Sequence, residues 1–289
     1  MSILADKNTK VLVQGITGTQ ASFHTQKMML YGTNIVCGVS PNRGGTKHIG
    51  VDVFNTVKEA INSTGATSSV MFVPAKFVKD AVKEAVEAEL ESVVCIASGV
   101  PIKDMMEIKA MLKGSKTLLI GPNTPGIITP DEARLGIFPE NIHKKGDIGI
   151  VSCSSTLTYE AVLETTRAGM EQSTVVGLGD DMIVGTDFVE IIRLFHEDDN
   201  TKAILMIGQQ GSMYEEEAAK YYAGLKNKKP IIGYIAGSSL LMKDKMGYAG
   251  DIITGGRYTA QDKKEAMRSA GIEVVDNINQ IHKVLQNLK

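Results

Sequence analysis

The feature that most constrains this chain is an alternation that starts at Lys10: short β-branched runs are separated by longer amphipathic segments. Strands joined by connections of that length pair in parallel, and helices then cover both faces of the sheet, so each strand reads as an unbroken apolar run. The first set of runs is Lys10–Gln14, Asn34–Val39, Ser69–Val73, Ser92–Ala97 and Thr117–Gly121. The second set is Asp147–Cys153, Thr174–Gly179, Ala203–Gly208, Pro230–Gly237 and Glu273–Val275. Phe77, Ala81, Val82 and Ala85 predict one helix face packed on a sheet, and Ile278, Ile281, Val284, Leu285 and Leu288 predict a closing helix over Asn277–Leu288. Between Gly126 and Gly146 the periodicity lapses around Pro130, Pro139 and Lys144-Lys145-Gly146, which predicts a linker. At 289 residues the chain suits two domains, each able to bury its own core. The expected division is residues 1–126, a linker over 127–146, and a second doubly wound α/β domain over 147–289.

Bulk chemistry narrows the function. With 22% charged residues and a net charge of -2, nothing favours nucleic acid or an anionic membrane as partner. Cys37, Cys95 and Cys153 are far apart, with no CxxC pair and no His/Cys cluster at metal spacing, so a reduced compartment and no metal site are expected. No apolar stretch approaches the 18 or so residues of a membrane span. The expectation is a cytoplasmic protein, or a mature organellar one whose presequence has been removed.

Two glycine-rich loops carry the candidate chemistry. Gly15-Ile-Thr-Gly-Thr-Gln20 follows the first strand and opens a helix, a turn that offers bare N–H groups and a positive helix end to a phosphate. It lacks the full GxGxxG spacing, and the second strand ends in Val39-Ser40-Pro41 with no acidic residue for a ribose hydroxyl, which disfavours a nicotinamide dehydrogenase. Ser40 to His48 instead forms a basic, glycine-containing loop in which Arg43 suits a phosphorylated ribose such as that of coenzyme A. The alternative is that Arg43 and Lys47 are solvated loop charges. The second loop, Lys243 to Gly256, follows a buried strand and carries Tyr248 at its centre. Ser212 and Glu215 read as a capping box, and Met28-Met29 and Met105-Met106 as core filler. His24, His48, His143, His196 and His282 read as packing or surface residues, since none sits in a glycine loop.

Together with Gly121-Pro-Asn-Thr-Pro-Gly126 and Ser152 to Glu160, the Tyr248 loop resembles the alpha subunit of succinyl-CoA synthetase (succinate–CoA ligase), almost end to end. The resemblance implies a Rossmann-like CoA-binding domain followed by a flavodoxin-like ligase domain. It implies that coenzyme A is held by Thr17, Gly18, Thr19, Gln20, Arg43, Ile96, Ala97, Ser98, Asn123 and Thr124, and the carboxylate substrate by Tyr159. Arg43 replaces the family's usual lysine, Ala97-Ser98 a Thr-Glu pair, and Thr124 a cysteine. It also implies a beta-type partner subunit that supplies ATP or GTP with magnesium, which fits the absence of a P-loop here.

At the phosphoryl centre the resemblance implies a histidine nucleophile, a glutamate that orients it, and a phosphate loop over Ser154, Ser155 and Thr156. Tyr248 stands for the histidine, Gln209 for the glutamate, Ser155 for a glycine and Asp180 for another, while Asp251 follows close behind. A phenol of pKa about 10 is neutral at pH 7, and its phosphate ester is a poor donor beside a phosphoramidate. New carboxylates facing the phosphate would repel it. The standard relay is therefore expected to be absent. Two functions remain: an alpha-type subunit of an ADP- or GDP-forming succinate–CoA ligase with an altered relay, or a catalytically inactive CoA-binding paralogue that regulates or stabilises a related subunit.

Overall fold

A computed structural model describes residues 2–237 and 259–288, so Tyr248 and Asp251 lie outside the described residues. The backbone forms two compact units. One comprises Leu4–Glu140 with Ile183–Thr186, and the other Asn141–Met182, the described residues from Asp187 onward and the first residues of the chain.

In chain order the first unit has β1 (Val11–Gln14), α1 (Thr19–Tyr31), β2 (Ile35–Val39), β3 (Lys47–His48), β4 (Val51–Phe54), α2 (Val57–Thr64), β5 (Ser68–Met71), α3 (Val78–Glu87), β6 (Ser92–Cys95), α4 (Ile102–Leu112) and β7 (Leu118–Ile120). Its sheet runs β3-β4-β2-β1-β5-β6-β7, parallel except where β3 meets β4. Every residue of β1, β5 and β6 is buried, as helices on both faces require. Leu12, Val39, Met71, Val82, Val93 and Leu119 belong to its core. The chain leaves β1 toward β2 and later returns to β1's other side as β5, so the order reverses at β1. Open α/β sheets bind ligands at the carboxyl ends of strands beside such a reversal.

Three expectations need correction here. Phe77 is half exposed, and the buried face of α3 is Val78, Val82 and Ala85, because Phe77 belongs to the 3-10 turn Ala75–Phe77 and is off the helix's angular register. The stretch read as a linker holds an antiparallel hairpin, β8 (Gly126–Thr129) with β9 (Ala133–Gly136). All residues of both strands are buried, so neither shows the alternation that would have revealed it. The hairpin is fixed near α1 by Thr33, whose hydroxyl donates to the Arg134 carbonyl and accepts from the Arg134 N–H, both at 2.9 Å. Of the methionines read as core, Met28 and Met105 are buried while Met106 is largely exposed.

The second unit has β10 (Lys145–Ser152), α5 (Ser155–Ala168), β11 (Gln172–Gly177), α6 (Phe188–Glu197), β12 (Ala203–Gln209), α7 (Tyr214–Ala223), β13 (Ile231–Ala236), α8 (Ala260–Ser269), β14 (Glu273–Val275) and α9 (Ile281–Gln286). Its parallel strands run β14-β13-β12-β10-β11, with the reversal at β10. The closing helix is shorter than expected: a 3-10 turn over Ile278–Gln280 precedes α9, which buries Ile281 and Leu285. Among the described residues no helix is long and apolar enough to cross a membrane.

Candidate functional site

In the first unit, the loop after β1 is shaped by close packing. Gly15 sits at φ +78, its N–H bonds the Val39 carbonyl at 2.8 Å, and a Cβ there would lie 3.3 Å from the Phe72 backbone. Glycine suits that position best. Ile16 is fully buried and presses on Gly38, where an added Cβ would meet Ile16 Cγ2 at 2.4 Å. With the loop pinned below, Thr17, Gly18, Thr19 and Gln20 are exposed above. Gly18 is the N-cap of α1, and no side chain caps that helix. Its first N–H groups are therefore placed to bind an anion.

The other predicted residues of this site lie on loops that leave the same sheet at the same strand ends. Arg43 is exposed in the loop after β2, which Ser40 ties to the glycine loop through a 3.0 Å hydroxyl contact with Thr17. Ile96, Ala97 and Ser98 follow β6, and the Asn123 N–H donates to the Ala97 carbonyl at 2.8 Å. Asn123 holds φ +59, while Thr124 is buried with its Oγ1 accepting from the Gly126 N–H at 2.9 Å. Thr124 thus supports its own turn. Sequence periodicity missed that Ile183–Thr186 belongs to this unit: the Gly185 N–H bonds the Gly121 carbonyl at 2.8 Å, and Lys109 Nζ donates to the Gly185 carbonyl at 3.0 Å.

In the second unit, β10 ends at Ser152 and α5 opens at Ser155, with Ser154 as an extended N-cap whose side chain does not cap the helix. The Ser154 N–H donates to Ser152 Oγ at 3.1 Å, and Thr158 Oγ1 donates to the Ser154 carbonyl at 2.6 Å. Thr156 is exposed and Tyr159 lies on the same helix. Across the reversal, Gln209 is the last residue of β12, and its Nε2 donates to Asp180 Oδ1 at 2.7 Å. Two of the altered positions singled out in the sequence are therefore in direct contact. Tyr248 lies outside the described residues.

Beneath Gln209 is a buried ion pair that the sequence disguised. Glu215 Oε1 accepts the Gln209 N–H at 2.9 Å, while Oε2 lies 2.6 Å from Lys263 Nζ and 3.2 Å from Ser212 Oγ. Lys263 is fully buried and also meets Glu216 at 2.9 Å. The expected capping box is thus corrected: Met213 is the N-cap of α7, without a side-chain cap, and Ser212 bonds the Glu215 carboxylate rather than a helix N–H. Burial, with the nearby Glu215 and Asp180 carboxylates, pushes the Cys153 thiol well up. Such a thiol is a poor nucleophile at neutral pH.

Several histidines hold packing positions. His24 stacks on Phe72 with ring centroids 5.8 Å apart, and burial followed by the Arg134 charge lowers its pKa. His282 Nδ1 is 2.6 Å from Glu164 Oε2, and His48 Nε2 is 2.6 Å from Ser22 Oγ. Among the described residues no group of three or more His, Cys, Asp or Glu is arranged to hold a metal ion.

Comparison with known proteins adds relatives to this geometry. Residues 6–99 match the CoA binding domain family and residues 151–273 the CoA-ligase family. The ADP-forming succinate–CoA ligase alpha subunit of Staphylococcus aureus is 50% identical over 285 residues, covering 99% of this chain and 94% of the relative. That of Staphylococcus epidermidis is 50% identical over 281 residues, covering 97% and 93%. Among solved structures, ATP citrate lyase from Methanothrix soehngenii in complex with citrate and coenzyme A superimposes with a TM-score of 0.89 at 24% identity. That match covers 99% of this chain but 50% of the lyase chain, so it speaks for the fold alone. The dinucleotide-forming acetyl-coenzyme A synthetase 1 of Ca. Korarchaeum cryptofilum superimposes with a TM-score of 0.74 at 18% identity, covering 96% of this chain and 60% of that one.

Proposed function

Since the chain belongs to the family of succinate–CoA ligase alpha subunits, we propose that it is the CoA-binding, alpha-type subunit of a ligase that makes an acyl-CoA from a carboxylate, coenzyme A and a nucleoside triphosphate. ADP or GDP is the other product, and the phosphoryl-relay site is altered at Tyr248, Gln209 and Ser155. In this reading residues 1–126 bind coenzyme A and residues 147–289 carry the ligase chemistry. A beta-type partner brings the nucleotide and magnesium.

The observation that carries the proposal is the uncapped N-terminus of α1, exposed over Thr17–Gln20 above the buried Ile16. The pyrophosphate of coenzyme A fits such a helix end, where backbone N–H groups and the dipole both favour negative charge. Arg43 then pairs with the 3′-phosphate, Ile96-Ala97-Ser98 line the adenosine side, and Asn123 with Thr124 turns the chain near the thiol. Coenzyme A supplies the thiol that becomes the thioester. The first unit's part is to fix the long ligand at its charged end, and in the second unit Tyr159 is the residue assigned to the carboxylate. At the altered centre, the open N-terminus of α5 with Ser154, Ser155 and Thr156 offers donors to a phosphate.

A second reading is favoured by one contact. Gln209 spends its amide on Asp180 at 2.7 Å, and a carboxamide cannot hold an imidazolium as a carboxylate does. A catalytically inactive, CoA-binding paralogue that regulates or stabilises a related subunit would carry these changes. The test is thioester formation by the chain with its beta-type partner, dependent on succinate, coenzyme A and nucleoside triphosphate, beside a calorimetric titration of coenzyme A into the chain. Binding with turnover supports the ligase, binding without turnover the paralogue, and no binding overturns both.

A further inference from the structure

The glycine loop and the Arg43 loop are fastened together at two side-chain points. One is the Thr17–Ser40 contact. The other joins α1 to the β3–β4 hairpin: Ser22, in the first turn of α1, meets His48 Nε2 at 2.6 Å. The same Ser22 Oγ lies 2.9 Å from the Gly18 carbonyl and 3.1 Å from the Ile16 carbonyl. A hydroxyl has one proton, and the two carbonyls can only accept. If Nε2 were bare it would take that proton, and both carbonyls would face hydroxyl lone pairs. The arrangement in which each atom has a compatible role has Ser22 donating to a carbonyl of the glycine loop and His48 Nε2–H donating to Ser22 Oγ.

Around this bond the backbone of Arg43 is closely held. Its N–H reaches the Ser40 carbonyl at 3.1 Å, its carbonyl accepts from Thr46 Oγ1 at 2.7 Å, and the Gly44 N–H donates to Asn55 Oδ1 at 2.9 Å. The turn presenting His48 places Ile49 at φ +45 and Gly50 at φ +88, the left-handed pair that a tight hairpin demands and a β-branched residue resists. Asp52 of this hairpin is paired with Lys47 at 3.3 Å. Among the described residues nothing pairs with the Arg43 guanidinium. A braced backbone thus carries a cation that no described residue neutralises, at a separation from the α1 N-terminus that Ser22 and His48 help to set.

We infer that Ser22 and His48 are positioning residues that latch the Arg43 loop to the glycine loop, so that the site selects ligands bearing a phosphomonoester in addition to the pyrophosphate seated on α1. The inference rests on the coenzyme A reading above. It makes His48 responsible for discrimination between coenzyme A and its 3′-dephospho form, without touching either.

The test is calorimetric titration of the full chain with coenzyme A and with 3′-dephospho-coenzyme A. In the wild type coenzyme A binds the tighter. His48→Phe, which removes the donor, weakens coenzyme A binding roughly tenfold, as expected for loss of one charge-assisted contact at Arg43, and changes dephospho-coenzyme A binding less than about twofold. His48→Gln, whose amide N–H can still donate to Ser22, restores most of the discrimination. In an Arg43→Ala background His48→Phe adds nothing, because both changes remove one interaction. Equal losses for the two ligands, or additive losses with Arg43→Ala, would overturn the latch while the coenzyme A reading stands. A wild-type chain that binds neither ligand overturns the coenzyme A reading itself.

Discussion

At the scale of single residues, the account turns on what Gln209 and Asp180 do to each other. The 2.7 Å bond pairs an amide donor at the end of β12 with a carboxylate in the loop after β11. Gln209→Glu replaces attraction with two carboxylates in contact, and one of them must then titrate upward. A carboxyl whose folded pKa is raised loses its contribution as pH rises through that value. The variant is therefore expected to be about 1–3 kcal/mol less stable than wild type at pH 8, with the gap closing toward pH 5, in urea melts. A gap independent of pH would mean that the two side chains are not in contact. The identities of these residues were plain in the sequence, and their departure from the pattern implied by the resemblance was the signal. Their mutual contact was not, since the two are far apart in the chain and meet only because the sheet order reverses at β10.

At the scale of elements, apolar runs located the strands of both sheets because helices bury them from both sides. What escaped were elements whose burial follows another rule. β8 and β9 are buried at every position and close on facing glycines, and β3 with β4 is a short hairpin set by turn geometry. The Glu215–Lys263 pair was equally hidden: a helix-start glutamate and a lysine 48 residues later give no local sign of full burial. A similar device joins α9 to α5. The Glu164 side chain is fully buried, bonds His282 through both the ring Nδ1 and the backbone N–H, and meets Arg167. Burial works to raise the Glu164 carboxyl, but the His282 and Arg167 hydrogen bonds outweigh it and hold the pKa below the ordinary value. A depressed carboxyl stabilises the fold above its unfolded pKa, about 4.3, and that contribution is lost as pH falls through the folded value. Glu164→Gln is thus expected to cost stability between pH 5 and 7 by about 1–3 kcal/mol, the difference shrinking below about pH 4 as the wild-type carboxylate protonates. Denaturant midpoints of the two proteins across that range check it, and a difference that grows on acidification would contradict the assignment.

At the scale of the whole molecule, the chain keeps the family's two-unit α/β scaffold, and the proposed reading places coenzyme A at the open α1 N-terminus and an altered phosphoryl centre around Gln209, Asp180 and Ser155. The central claim is that binding has been retained and the histidine relay has not. The most direct measurement pairs the chain with its beta-type partner, adds magnesium and γ-labelled nucleoside triphosphate, and asks whether label appears on this chain. The account predicts no acid-labile label in a preparation that binds coenzyme A. Acid-labile label on the chain would show a phosphohistidine still in use and would contradict it.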